Sequence, residues 1–260
     1  MSTGEVWDPA RYLQFGDLRH RPALDLLARV DHDDPEVIHD VGCGTGTLAR
    51  LMAARWPDAQ VTGSDASAAM LAEAAAVPSR VEWRHLDIVD WPDTDDPTVD
   101  IITANAVMHW VPDHDELLLR LLRSVRPGGT LAVQMPRSWD EPSHRAIRET
   151  LHRTGLGSPQ LRSRFATAPV APAEHYADLL APVATHIEIW ETRYLQTLSG
   201  PDPVLAWVQG TTLGPILADI GPETDRFLDE VRAALRIAYP PQPDGTTRYP
   251  FPRLFIVAGR

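Results

Sequence analysis

Three acids end three short apolar runs. Asp40 follows Val37-Ile38-His39, Asp65 follows Val61-Thr62-Gly63-Ser64, and Asp87 follows His85-Leu86. After Asp40 comes Val41, then glycines at alternate positions, Gly42, Gly44 and Gly46, directly before a helical pattern. A glycine there takes positive φ and lets a ligand approach the main chain without meeting a Cβ. The helix that follows offers its free N–H groups to the same ligand. A carboxylate at the tip of the next strand, Asp65, can accept two hydroxyl hydrogen bonds from a ribose. Asp87, with Ile88 beside it, can take an exocyclic amine and cover a flat ring. Together these residues describe a site for a nucleotide-like ligand. Singly, each has a plainer reading: a tight turn for the glycines and a solvated turn for each acid.

Strands must present these residues. The apolar runs are Val37–Val41, Gln60–Gly63, Val81–Arg84, Val99–Ala104 and Thr130–Met135. Between the first two, Leu48, Leu51, Met52 and Trp56 fall on one face of a helix. Leu117 to Val125 reads as another helix, and Arg126-Pro127-Gly128-Gly129 reads as its end and the turn into the fifth strand. A helix over 66–76 suits the Ala-rich stretch, and one near Ala23–Val30 precedes the first strand. Strands alternating with helices predict an α/β, Rossmann-like parallel sheet with helices on both faces. Later in the chain the pattern predicts a helix near Ser143–His152 and a mobile loop over Gly155–Pro172. It also predicts strands at Ile187–Trp190 and Leu254–Ala258, and helices over Pro203–Ile220 and Glu223–Tyr239.

Composition narrows the function. The 260 residues have a formal net charge of −12, and all 24 basic residues are arginine. Such an acidic balance, with no basic run, speaks against a nucleic-acid partner. No apolar run of 18 residues predicts a membrane span, and no signal-like core opens the chain, so a cytoplasmic protein is expected. The single cysteine, Cys43, excludes an internal disulfide and an all-cysteine metal site; no metal is expected. It sits inside the glycine loop and reads as a small filler.

The spacing G-x-G-x-G differs from the G-x-G-x-x-G of dinucleotide enzymes. It resembles the loop of class I S-adenosylmethionine-dependent methyltransferases. That resemblance places Asp40 near the amino-acid part of S-adenosyl-L-methionine, and Gly42, Cys43, Gly44 and Gly46 along its sugar and methionine. It places Asp65, Ala66 and Met70 at the ribose side, and Asp87 and Ile88 at the adenine. Asn105, ending the fourth strand, falls beside the sulfonium; its plainer reading is a helix cap. Four narrower stretches resemble the trans-aconitate 2-methyltransferase family: the leader W-D-P-x-x-Y-x-x-F from Trp7, A-N-A-x-x-x-W-x-P-D-H from Ala104, A-V-Q-M-P from Ala132, and F-P-R-L-F-I-V-A from Phe251. The family implies methyl-ester formation on one carboxylate of a small polycarboxylic acid. Where it commonly has a long side chain or a hydrophobe before Trp110, this chain has His109.

That chemistry changes what to look for. A carboxylate is already ionised at neutral pH and needs no base. It needs cationic groups to hold it, and arginine is the natural clamp. No acid–base side chain is therefore expected, and Asn105, His109 and Trp110 are candidates for alignment. The candidate substrate residues are Tyr12, Arg21, His109, Trp110, Arg137, Tyr194 and Arg253. The expected architecture is a single methyltransferase domain over 1–260, with cap elements from 1–30, 136–182 and 203–239; the sequence leaves the oligomeric state open. Two other readings remain. One is a methyltransferase of secondary metabolism acting on hydroxyl, amine or carbon, with His20 or His109 as base. The other is a cofactor-binding module without catalysis.

Overall fold

The computed structural model describes residues 20–92 and 97–260. A seven-stranded sheet runs in the order β3-β2-β1-β4-β5-β7-β6. Its strands are β1 (Val37–Val41), β2 (Gln60–Asp65), β3 (Glu82–His85), β4 (Val99–Asn105), β5 (Val125–Pro136), β6 (His186–Leu198) and β7 (Thr247–Gly259). The first five pair in parallel. β7 runs against β5, since the Arg137 N–H donates to the Pro252 carbonyl while the Gly128 N–H donates to the Arg260 carbonyl. The expected α/β sheet is present, and the two last strands make it mixed.

The inner strands β1 and β4 are apolar along most of their length because both faces are covered. Ile38, Ile101, Ile102 and Ala104 have no exposure at all. Strand order reverses between β1 and β4, so the carboxyl ends of these strands border the crevice where open α/β sheets bind ligands. Register then fixes which residues meet there. Asp40 pairs with Gly63 on one side and Thr103 on the other, Asp65 pairs with His85, and Asn105 pairs with Gln134.

Several boundaries differ from the sequence reading. The helix Asp115–Arg123 stops before Ser124, and Arg126-Pro127-Gly128-Gly129 lies inside β5 instead of ending the helix. A register shift between Val99 and Ile101 absorbs the irregularity. Gly128 has φ of 87°, and a Cβ on Gly129 would lie 2.4 Å from the Asp100 carbonyl, so the pair serves a bulge. The stretch read as a loop at 155–172 contains the helix Pro159–Arg164. Ser158 caps it, accepting from the Leu161 N–H at 3.1 Å, and is itself pinned by two hydrogen bonds to Asp219. Pro203–Ile220 is two helices, Pro203–Gln209 and Leu213–Ile220, broken at Gly210-Thr211-Thr212. A helix at Ala173–Leu180 follows Pro172.

The chain forms two compact units: Met1–Pro136 with Ala171–Glu191 and Leu254–Arg260, and Arg137–Val170 with Thr192–Arg253. The segment 171–182 thus groups with the sheet unit, and 192–202 and 240–253 with the second. The second unit is built on aromatic contacts. Trp207 meets Phe251 edge-on at 5.2 Å and Tyr249 at 5.8 Å, and Tyr239 meets Tyr249 at 5.6 Å. Each such pair adds about 0.5–1.5 kcal/mol beyond its burial.

Candidate active site

The glycine loop leaves β1, is tied to β2 and enters the helix Thr47–Arg55. The Cys43 N–H donates to the Ser64 carbonyl, and the Gly46 N–H to the Cys43 carbonyl, both at 2.9 Å. All three glycines have positive φ, between 55° and 76°. Their surroundings differ. A Cβ on Gly42 would lie 2.4 Å from Val107, and one on Gly46 would lie 2.2 Å from the Trp83 ring. Gly63 in β2 faces the same ring at 2.5 Å. Those three make room for the protein's own side chains. At Gly44 a Cβ would meet nothing within 4 Å among the described residues, so this is the loop glycine with open space in front of it.

Asp65 ties the loop down. Its carboxylate accepts from the Gly44 N–H at 2.9 Å through Oδ2 and from the Ser67 N–H at 2.8 Å through Oδ1. Each oxygen keeps a lone pair for a ligand hydroxyl. Ser67 caps the next helix by accepting from the Met70 N–H, and the Met70 side chain is exposed. The Ala66 carbonyl lies 2.9 Å from His85 Nε2. Asp87 is exposed, accepts from the Val89 N–H at 3.1 Å and caps the turn Ile88–Asp90; Ile88 is buried beside it.

Beneath the loop Asp40 is buried. Its Oδ1 accepts from the Thr103 hydroxyl at 2.7 Å, while Oδ2 has no partner. Burial pushes its carboxyl up to about 7, against the pull of the Thr103 hydroxyl and the Ala49 N–H and with a further push from Asp65. Asn105, ending β4, likewise holds its Oδ1 buried and without a partner. After it the chain bends through Ala106, at φ of 56°, whose N–H donates to the Gln134 carbonyl at 2.8 Å. A left-handed non-glycine residue costs energy and clusters at functional sites. The sequence reading did not single out Ala106; no composition signal marks a strained alanine. His109 and Trp110 follow on the single turn Met108–Trp110, ring centroids 4.7 Å apart, with Trp110 half-exposed.

The same unit holds two groups that act from behind. His39 is buried against Trp91, with Nε2 2.9 Å from the Ser64 hydroxyl, and burial lowers it to about 4, so it is neutral. Cys43 is held far above the usual thiol range by burial and then by Asp40 and Asp65. It is an inert filler, not a nucleophile.

Of the substrate candidates, Tyr12 lies outside the described residues. Arg21 is exposed at the start of the helix Arg21–Leu27 in the sheet unit. Arg137, Tyr194 and Arg253 belong to the second unit. Arg137 donates to the Val170 carbonyl at 3.1 Å, and Tyr194 lies 6.3 Å from Phe251, ring to ring. Arg253 is buried, with its guanidinium carbon 3.8 Å above the Phe251 ring and Nε without a partner. Burial lowers it to about 9, and among the described residues the groups that oppose the shift are two tyrosines, Tyr249 and Tyr194, and no carboxylate. His144, which no local sequence signal marks, is lowered to about 4 by burial and by Arg148 and Arg253. Its ring nitrogens lie 3.2 Å from the Ser143 and Thr212 hydroxyls.

Comparison with known proteins agrees with this layout. Residues 38–129 match the family model described as a methyltransferase domain. A protein of Azoarcus sp. (strain BH72) named trans-aconitate 2-methyltransferase is 47% identical over 98% of this chain and 99% of its own. One of Rhodococcus jostii with the same name is 41% identical over 97% of this chain and 99% of its own. Among solved structures, the YcgJ protein of a Bacillus species superposes with a TM-score of 0.61 at 12% identity, covering 93% of this chain and 98% of that one. A Haemonchus contortus phosphoethanolamine N-methyltransferase, solved with S-adenosylhomocysteine, gives 0.54 at 18% identity, covering 92% of this chain and 52% of that one. The structural likenesses carry the fold alone. The sequence likenesses run from end to end and carry more: the chain belongs to the trans-aconitate 2-methyltransferase family of class I methyltransferases.

Proposed function

We propose that this protein uses S-adenosyl-L-methionine to form a methyl ester on one carboxylate of a small polycarboxylic acid, with trans-aconitate as substrate. The observation that carries the reading is Arg253, a buried arginine with an unpartnered Nε and, among the described residues, no carboxylate acting on it. An uncompensated buried cation is costly unless an anion completes it. A carboxylate of the substrate is such an anion.

The strand-end residues suit the cofactor. Open space at Gly44 admits a close ligand, Asp65 retains lone pairs for ribose hydroxyls, and the orphan oxygens of Asp40 and Asn105 can each accept from an ammonium. When bound, the cofactor supplies a methyl group made electrophilic by a sulfonium. The chain's residues then need only hold and align. The ionised carboxylate is its own nucleophile, so no side chain has to remove a proton. Arg253, with Arg137 and Tyr194, holds the acid. Asn105, His109 and Trp110 are the alignment candidates of the sheet unit, and alignment with exclusion of water is where the rate is gained. The neutral His39 and the inert Cys43 take no part.

Incubation of the purified protein with cofactor and a panel of small acids, followed by mass spectrometry, tests the reading. A monomethyl ester from trans-aconitate, in preference to monocarboxylates, is expected. Methylation of hydroxyl or amine compounds with every acid left untouched would overturn it.

A further inference from the structure

Besides Asp40 and Asn105, the end of β5 holds a third buried polar atom with no partner: Gln134 Nε2, on a side chain only 1% exposed. Asn105 and Gln134 are cross-strand partners, and so are Asp40 and Thr103. Opposed residues share a face, and so do Thr103 and Asn105, two apart on one strand. One face at the carboxyl ends of β1, β4 and β5 therefore carries Asp40, Thr103, Asn105 and Gln134 in sequence. It presents two orphan acceptor oxygens and one orphan donor.

Such a cluster differs from chance. Buried polar atoms without partners are few in any native protein, and each leaves its desolvation uncompensated. Here the three unsatisfied atoms sit on neighbouring strands at the crevice of the sheet. Two acceptors suit an ammonium; the donor does not. An amide N–H in a dry site calls for an oxygen, and a charged one makes the stronger bond. The main-chain carbonyl of Gln134 is already engaged by the Ala106 N–H, which holds the residue against the strained bend after β4.

We infer that Gln134 is a carboxylate-binding residue, donating through Nε2 to a ligand carboxylate at the ends of β4 and β5. Two carboxylates have this chemistry: the one on the amino-acid part of the cofactor, and one on the acid substrate. The inference rests on the proposed reading for the second source and stands without it for the first.

Binding, not turnover, separates them. Gln134→Leu and Gln134→Glu are made in the full chain, their thermal midpoints are checked, and calorimetry follows with three ligands. These are S-adenosylhomocysteine, methylthioadenosine, which has the base, ribose and sulfur without the amino-acid part, and trans-aconitate added to the S-adenosylhomocysteine complex. The expected result is a loss of about tenfold or more for one carboxylate ligand in the Leu variant, and a larger loss in the Glu variant, which adds a like charge. Methylthioadenosine stays within about twofold of the parent. A loss confined to S-adenosylhomocysteine assigns the cofactor's carboxylate; a loss confined to trans-aconitate assigns the substrate's. Should Gln134→Leu not fold, Gln134→Met and Gln134→Glu give the same reading. If both carboxylate ligands bind the folded variants as they bind the parent, or methylthioadenosine weakens equally, the inference is overturned. A parent that binds S-adenosylhomocysteine and ignores trans-aconitate would remove the proposed substrate and leave the cofactor arm intact.

Discussion

Each unit of this protein holds a deeply buried charge that it does not finish pairing. In the sheet unit it is Asp40, a carboxylate pushed up to about 7 with one oxygen unpartnered. In the second unit it is Arg253, a guanidinium lowered to about 9 with Nε unpartnered. Finished pairing looks different in the same molecule. Partial burial works against Asp100, yet it accepts from the Val37 and Glu36 N–H groups and from Arg126, and the outcome is a carboxyl held below its ordinary range. The fold is able to satisfy a charge where only stability is at stake. Leaving an anion half-paired in one unit and a cation half-paired in the other matches the two ligands of the proposed reaction, one carrying an ammonium and the other carboxylates.

Removing the cation is the strongest way to break that pairing of roles. Arg253→Gln should lower kcat/KM for a polycarboxylic acid by roughly 10- to 150-fold, the loss of one charge-assisted contact. S-adenosylhomocysteine affinity should not move. Arg253→Met should lose the acid equally while raising the thermal midpoint, because a buried uncompensated charge is replaced by an apolar chain of similar length. Steady-state kinetics beside a melting curve checks both; an Arg253→Met protein that melts lower would mean the guanidinium is structural.

Asp40 gives the mirror image with a pH signature. Its folded carboxyl holds a proton more tightly than an unfolded one. Its contribution to stability is full below the ordinary carboxyl range and is lost as pH rises through about 7. Asp40→Asn should therefore melt like the parent near pH 4 and higher than the parent at pH 8, by up to on the order of 3 kcal/mol. Ligand binding should move the other way. An ammonium favours the ionised form, so parent affinity for S-adenosylhomocysteine should fall as pH drops below 7, while the Asn variant should bind weakly and show no such slope. Calorimetry at several pH values decides; parallel slopes would remove Asp40 from the ammonium site.

The two units also differ in how far the sequence discloses them. Asp40, the glycines, Asp65 and Asn105 lie on short segments whose strand, loop and helix patterns are local, so period and spacing place them at one edge of the sheet. Arg253 was within reach only through motif resemblance: Phe251 and Tyr249 stand beside it on β7, but Tyr194 and His144, which also bear on its charge, come from distant segments. His144 stands in an ordinary amphipathic helix, and nothing local marks it. Gln134 lies inside the A-V-Q-M-P motif, yet its place beside Asn105 is set by cross-strand register, which a single strand does not reveal. The misplaced turn at Pro127-Gly128-Gly129 has the same origin. Glycine and proline report a local irregularity, and only pairing with β4 decides between a turn and a bulge.

A gentler test separates ligand space from packing space within the loop. Gly46→Ala drives a Cβ into Trp83, so it should cost about 1–3 kcal/mol of stability whatever it does to binding. Gly44→Ala meets no atom and carries only the strain of φ 55°, about 1 kcal/mol. Its larger effect should be on S-adenosylhomocysteine affinity. Melting and calorimetry on the pair give a cross-over; if both variants lose stability and affinity in the same proportion, the loop has no ligand-facing glycine.

The smallest expected effect is at Cys43, and it reports on the strand-end charges. The thiol is half-buried, with Sγ 3.7 Å from the Gly44 carbonyl, and it sits in the field of Asp40 and Asp65. Burial first, then those two carboxylates, keep it protonated far above neutral pH. The thiolate is the reactive form, so alkylation of the native protein by iodoacetamide at pH 8 should be much slower than that of a free thiol. Cys43→Ala should leave affinity and turnover within about twofold, since a small filler is replaced by a smaller one and only the long, weak Sγ bond to the Gly44 carbonyl is lost. The informative step is to combine the two tests. In Asp40→Asn one negative neighbour is gone, and Cys43 should label faster than in the parent at the same pH. An unchanged labelling rate in that variant would show that Asp40 carries no charge at pH 8, and the contrast between a half-paired anion and a half-paired cation would lose its first member.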